Sequence, residues 1–232
     1  MIKCIKYYLI EFRVVELQKL VVKTAVKTVL IILGIIVAAF SIFNFAFPQH
    51  MATAMESLGN YGMAVKYANL RYTYTGDSFD LARCYDDSVL AGDDESIILY
   101  AEKLLADKNY KTVCQERNDM YNKMYQDQFG FTFDYDLRVI STLSVSYYNE
   151  AVKKEGAERV TYTQKAMDFA LEANGVDRFL YGNALMALSI KIVNNKDKAA
   201  AASMLEVLDT ITPTEQAELI DLETIKSKLM GV

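Results

Sequence analysis

The sequence predicts an all-α protein: a transmembrane helix near the N-terminus followed by a helical domain. Three observations carry that expectation. The stretch from Thr28 to Phe47, TVLIILGIIVAAFSIFNFAF, holds twenty residues with no charge and no proline, and it runs straight into Pro48. At 1.5 Å of rise per residue such a helix covers about 30 Å, the thickness of a bilayer's hydrocarbon core. Beyond it the chain contains one further proline, Pro213, so little interrupts helix formation. Apolar residues there recur at intervals of three and four, in stretches bounded by Gly, Asp and Asn.

Residues 1–27 form the first element. Ile2, Ile5, Leu9 and Phe12 fall at helical spacing with Lys3, Lys6 and Arg13 between them, the pattern of an amphipathic helix at a membrane face. Residues 28–47 are the span, and 49–232 the outer domain. The chain's 25 basic and 30 acidic residues divide unevenly. Six basic residues, Lys3, Lys6, Arg13, Lys19, Lys23 and Lys27, precede the span against Glu11 and Glu16, which leaves 19 basic and 28 acidic residues after it. Lys and Arg close to a span stay on the cytoplasmic side. The N-terminus is therefore expected in the cytoplasm and the domain outside it. Ala52-Thr53-Ala54 has the small-x-small form of a signal-peptidase site. A cleaved signal, however, has a short charged region and an apolar run of roughly 7–15 residues, so retention is expected. The outer acidity excludes a nucleic-acid partner, because phosphate binding needs a basic face.

Helices are predicted over 49–58, 61–75, 78–91, 94–107, 110–127, 137–155, 158–173, 177–194, 197–210 and 214–229. Asp77, Asp93 and Thr214 are the expected N-caps, since a short oxygen-bearing side chain accepts the free amide hydrogens of a first turn. Phe129, Phe131, Phe133, Tyr135 and Leu137 alternate instead, which is strand periodicity and predicts an extended loop or a short hairpin.

A repeat runs through the domain. Gly59-Asn60-Tyr61-Gly62-Met63-Ala64-Val65-Lys66-Tyr67-Ala68 overlies Gly92-Asp93-Asp94-Glu95-Ser96-Ile97-Ile98-Leu99-Tyr100-Ala101, with glycine, tyrosine and alanine coinciding 33 residues apart. Each copy reads as a turn glycine, a cap and a helix. This resembles the second helix of a tetratricopeptide repeat, and Leu185, Leu188, Ile192, Ala201, Leu205, Leu208 and Pro213 are similar to a closing unit. Ala166, Ala170 and Ala173 match less closely, with 137–152 as their partner helix. Arg71 stands where the family has a small residue, Lys196 where it has the turn glycine, and 110–135 fit no unit. The resemblance covers about two thirds of residues 49–232. It implies an α-solenoid of antiparallel helix pairs, stacked because one pair cannot cover its own apolar face, that binds a protein or peptide.

The inventory for catalysis is thin. His50 is the only histidine and lies beside the span, so a histidine-based triad or a histidine-rich metal site is not expected. Asp77, Asp80, Asp86, Asp87, Asp93, Asp94 and Glu95 lie close together but lack the alternation and central glycine of a calcium loop. They are expected as solvated charges at helix starts, where the helix dipole favours them. Cys84 and Cys114 would share the outer compartment, where a disulfide is permitted but not required by their spacing. No cofactor, metal or catalytic residue is assigned. Sixteen tyrosines remain. Tyr67 and Tyr100 are expected in the core, whereas Tyr72, Tyr74 and Tyr85 are the candidates for partner contact, because tyrosine buries a large area while keeping a polar end.

The function expected from these features is a single-pass scaffold or adaptor, not an enzyme, serving a membrane or envelope complex. The short chain, its single span and its lack of an Asn-x-Ser/Thr sequon suggest a bacterial cell envelope. A single-pass sensor for an outer ligand is the alternative, and an enzyme using paired carboxylates the third reading. The span predicts that the intact chain stays with the membrane pellet through an alkaline carbonate wash; its appearance in the supernatant would contradict the anchor.

Overall fold

The computed structural model describes residues 2–129, 133–176 and 183–232. They form eleven α-helices and no strand: α1 (Ile2–Ala46), α2 (Pro48–Ser57), α3 (Tyr61–Thr75), α4 (Ser78–Ala91), α5 (Asp94–Leu105), α6 (Tyr110–Phe129), α7 (Tyr135–Val152), α8 (Gly156–Val176), α9 (Asn183–Asn194), α10 (Lys198–Asp209) and α11 (Gln216–Met230). The chain divides into two compact units, Met1–Met51 and Ala52–Val232.

The first unit is dominated by α1. The amphipathic stem and the apolar run are one uninterrupted helix, since no proline or glycine pair breaks the backbone ladder. Leu20–Phe43, of mean hydropathy 2.6, is long and apolar enough to cross a membrane, and none of it is buried against protein. Thr24, Thr28 and Ser41 turn their hydroxyls onto the carbonyls of Leu20, Thr24 and Val37, four residues back. Their polar atoms are thereby satisfied inside the helix, as an apolar solvent requires. Pro48 opens α2 at the first helical position, where its missing amide costs nothing.

In the second unit, helices pack mainly on their neighbours in the chain: α3 on α4, α4 on α5, α7 on α8, α8 on α9 and α10 on α11. Contacts also skip one helix, joining α5 to α7, α7 to α9 and α9 to α11. One contiguous core results, and α7 lies at its centre, with Leu143, Tyr147 and Tyr148 sealed from solvent. Small residues line the crossings: Ala82, Ala101, Ala166, Ala170 and Ala173 are wholly buried, which lets neighbouring helices approach closely.

The expected helices appear with ends shifted by up to three residues, except that 177–182, the start of the helix expected over 177–194, lie outside the described residues. Asp77 and Asp93 cap α4 and α5, accepting the amides of Phe79 and Ser96. Thr214 does not cap α11. That place belongs to Glu215, and the Glu218 carboxylate accepts from the Thr214 hydroxyl at 2.9 Å and the Glu215 amide at 3.4 Å. Among the described residues the alternation around residue 133 forms no strand; residues 130–132 lie outside them, and Phe133 and Asp134 are non-helical. Asp134 caps α7 through the Leu137 amide, so Tyr135 and Leu137 enter a helix, while Phe129 ends α6 and Phe131 lies outside the described residues. Helix packing there uses Tyr135, Leu137, Val139 and Ile140, all buried.

The paired sequences share a turn geometry. Gly59 and Gly92 both take left-handed φ, 69° and 66°, and Asn60 and Asp93 each cap the helix that follows. The same turn recurs before α10 with Lys196 at φ 51° and Asp197 as the cap. A lysine held there carries backbone strain of roughly 1–2 kcal/mol that glycine avoids, partly offset by glycine's greater freedom when unfolded. Lys196→Gly is therefore expected to raise the unfolding free energy by about 0.5–1 kcal/mol in urea titration.

Candidate functional site

The tyrosine candidates separate once helices are placed. Tyr74, near the end of α3, is 63% exposed. Tyr72 is half-buried and packs against the core. Tyr85 is not available to a partner: it is wholly buried, its hydroxyl donates to the Arg138 carbonyl at 3.3 Å, and its ring stands edge-on to Tyr135. The cause is position on α4. Tyr85 shares the buried stripe of α4 with Leu81 and Ser88, and its hydroxyl and ring meet α7. Tyr100 is in the core as expected, whereas Tyr67 is only half-buried.

The acidic stretch departs furthest from expectation. Asp80, Asp86 and Asp87 are buried in α4 instead of lying in solvent. Each faces a cation. Asp80 meets Arg71 of α3 at 2.8 Å and accepts from the Thr75 hydroxyl at 2.9 Å. Asp86 lies 3.2 Å from Arg117 of α6 and accepts from the Tyr135 hydroxyl at 3.1 Å. Asp87 stands 4.0 Å from Arg83, one turn back on its own helix. Arg83 itself is committed to α2: Nε donates to Glu56 Oε1 at 2.6 Å and Nη2 to Thr53 Oγ1 at 2.7 Å.

Electrostatics follow from this placement. Burial raises the Asp86 carboxyl, against Arg117, Arg138 and the Tyr135 hydroxyl, which all favour the ion. Burial, then the nearby Glu56 charge, push Asp87 up to about 7, with Arg83 opposing them. The two thiols are free and buried. Burial and then Asp87 push Cys84 up to about 12, and burial raises Cys114 to about 11, so neither is an activated nucleophile.

Two further clusters tie α7 to later helices. The Tyr147 hydroxyl donates to Glu102 of α5 and accepts from Lys165 Nζ of α8 at 2.8 Å. Asp197 accepts from the Ala200 amide, Arg159 and Tyr148. Burial alone would raise its carboxyl, but these donors hold it below the ordinary range. Among the described residues no group of three or more His, Cys, Asp or Glu side chains is arranged to hold a metal. His50 is exposed and stands edge-on to Phe47.

Sequence reasoning missed Glu56, Arg83, Asp86 and Asp87 as a group. Spacing alone presents Arg83 and Asp87 as a one-turn surface pair, and nothing local says that α2 and α6 cover them. No family model matches the chain, and no characterised protein or solved structure is significantly similar to it.

The buried ion pair makes a measurable commitment. Arg117→Met leaves Asp86 without its nearest cation, and the loss is expected to be about 3 kcal/mol at neutral pH, near the low end for a broken buried pair because Tyr135 and Arg138 still face the carboxyl. Arg117 is a group that lowers the already raised Asp86 carboxyl, so its removal raises that carboxyl further, and protonation relieves the charge left unpaired in the fold. The deficit should therefore shrink as pH falls toward about 5, as read by urea unfolding at both pH values.

Proposed function

We propose that the chain is a single-pass membrane protein, with its N-terminus in the cytoplasm, that presents a tetratricopeptide-like helical solenoid outside as a scaffold or adaptor for a protein or peptide. The observation that carries this reading is the contrast between the chain's two apolar surfaces. The helical unit buries a contiguous apolar core and exposes hydrophobic side chains such as Leu58 and Val160 besides, whereas Leu20–Phe43 has none of its apolar run buried by protein. A surface of that length without a protein partner suits lipid. The charge asymmetry across Thr28–Phe47 supports the orientation. Neighbour-on-neighbour helix packing and the glycine-cap turns support the solenoid.

On this reading the partner is another membrane or envelope component, probed at high effective concentration because both are tethered. Binding, not catalysis, is the activity assigned. Tyr74 and the edge of Tyr72 are the contact residues, and Tyr85 is withdrawn. A bacterial envelope is the assigned setting, on the sequence features alone. A second reading, a sensor that relays an outer ligand's state inward, gains weight from α1, because stem and span are one rigid rod that can transmit a displacement.

Gentle detergent extraction followed by affinity purification of the full chain tests the proposal. A stoichiometric partner is expected, and Tyr74→Ala should weaken its retention by about tenfold if the ring is an anchor of 1–2 kcal/mol. Loss of the partner only when the core is disrupted, with Tyr74→Ala silent, would remove that tyrosine from the interface. Protease added to sealed cells after outer-layer removal should reach the domain beyond residue 48; protection would overturn the orientation.

A further inference from the structure

The seam between α2 and α4 contains a chemical vacancy that the scaffold reading does not use. Asp87 is 3% exposed, and its Oδ2 atom accepts no hydrogen bond. A buried carboxylate oxygen without a donor costs more than almost any other single polar defect. The nearest cation cannot repair it, because Arg83 directs Nε to Glu56 at 2.6 Å and Nη2 to Thr53 at 2.7 Å, leaving Nε 4.0 Å from Asp87 Oδ2. Across the seam the facing group is another carboxyl, Glu56, whose side chain is 30% exposed and so remains in reach of water.

We infer that Asp87 holds a proton in the closed seam, so that the α2–α4 seam is a proton-binding site whose occupancy sets how firmly α2 is held on α4. With the proton present, the Asp87 carboxyl becomes a donor, its orphaned oxygen no longer carries an unpaired charge, and its repulsion toward the facing Glu56 side chain is removed. Without it, two carboxylates face one guanidinium and repel each other. The proton comes from water and returns to water, and no other bond changes.

The surrounding charges leave this role to Asp87. On α4, Asp86 adds to the negative field and is itself taken up by Arg117 of α6 and Arg138 of α7. Arg71 of α3 is engaged by Asp80. Lys103 of α5 acts on Cys84, whose thiol is also neutral. Arg83 is the cation that opposes the shift of Asp87, and burial with Glu56 outweighs it, which is why Asp87 is pushed up to about 7. The sign is fixed by linkage. A carboxyl raised in the folded seam binds its proton there and releases it when the seam opens, so closure is favoured below the folded value and the advantage is lost as pH rises through it. The neutral range is where this group changes state.

The site lies at a useful place in the chain. α2 is the first helix after the apolar helix and supplies Thr53 and Glu56.

Infrared difference spectroscopy and hydrogen exchange on the full chain in detergent micelles test the inference without reference to any binding partner. A protonated-carboxyl C=O band should be present near pH 6, absent near pH 8, and missing at both in Asp87→Asn. After correction for intrinsic exchange, α2 amides should open about tenfold less at pH 6 than at pH 8, because each unit by which pH lies below the folded pKa is a factor of ten in opening. Amides of α9 serve as the internal reference and should not change. Asp87→Asn should abolish the difference, and Glu56→Gln should do the same if the asparagine variant does not fold. A carboxyl band that persists in both variants, or α2 exchange that is equal at the two pH values, would overturn the site while leaving the scaffold reading untouched.

Discussion

A tyrosine hydroxyl taken out of water must find an acceptor, and in an all-helical core most backbone carbonyls are already occupied by their own helix. Side chains of other helices supply most of the acceptors, although the Tyr85 hydroxyl reaches the Arg138 carbonyl. In this chain α7 meets that constraint three times with acids. Tyr135 donates to Asp86 of α4, Tyr147 to Glu102 of α5, and Tyr148 to Asp197 at the cap of α10. Each bond fixes one helix against α7 in both rotation and height, because a one-residue slip would leave a hydroxyl and a carboxylate unpaired in the core.

Apolar packing alone would not select this arrangement so narrowly. Alanine-lined crossings at Ala166, Ala170 and Ala173 allow close approach but tolerate sliding. Polar pairs remove that freedom. Ser144 adds a further constraint of the same kind, its hydroxyl reaching the Ala166 carbonyl at 2.6 Å between α7 and α8. Even the helix that fits no repeat is held this way: α6 is tied by Arg117 to Asp86, by Tyr110 to Asp136, and by Asn118 and Asn122 to the backbone at Tyr135 and Phe133.

The same economy makes α4 an unusual helix. Three of its aspartates are buried, and their surroundings differ: Asp80 and Asp86 have close donors from α3, α6 and α7, whereas Asp87 faces Glu56 of α2 and a distant Arg83. Charge satisfied on all sides is structural. Charge satisfied only by a proton responds to its medium, and this difference between adjacent residues arises from which helix covers each one.

By itself the sequence determined the helical class, the apolar rod of α1, nearly every helix in order, and the caps at Asp77 and Asp93, because those features depend on residues within a turn or two of each other. Local spacing also marked the matched turns at Gly59 and Gly92. It misjudged whatever depended on a residue's distant cover. Tyr85 looked available and is sealed under α7, and the α4 aspartates looked solvated and are enclosed by α2, α3 and α6. Tertiary structure alone decided Tyr85 and Asp86, since partners 53 and 49 residues away supply the carbonyl and the hydroxyl that make their burial tolerable.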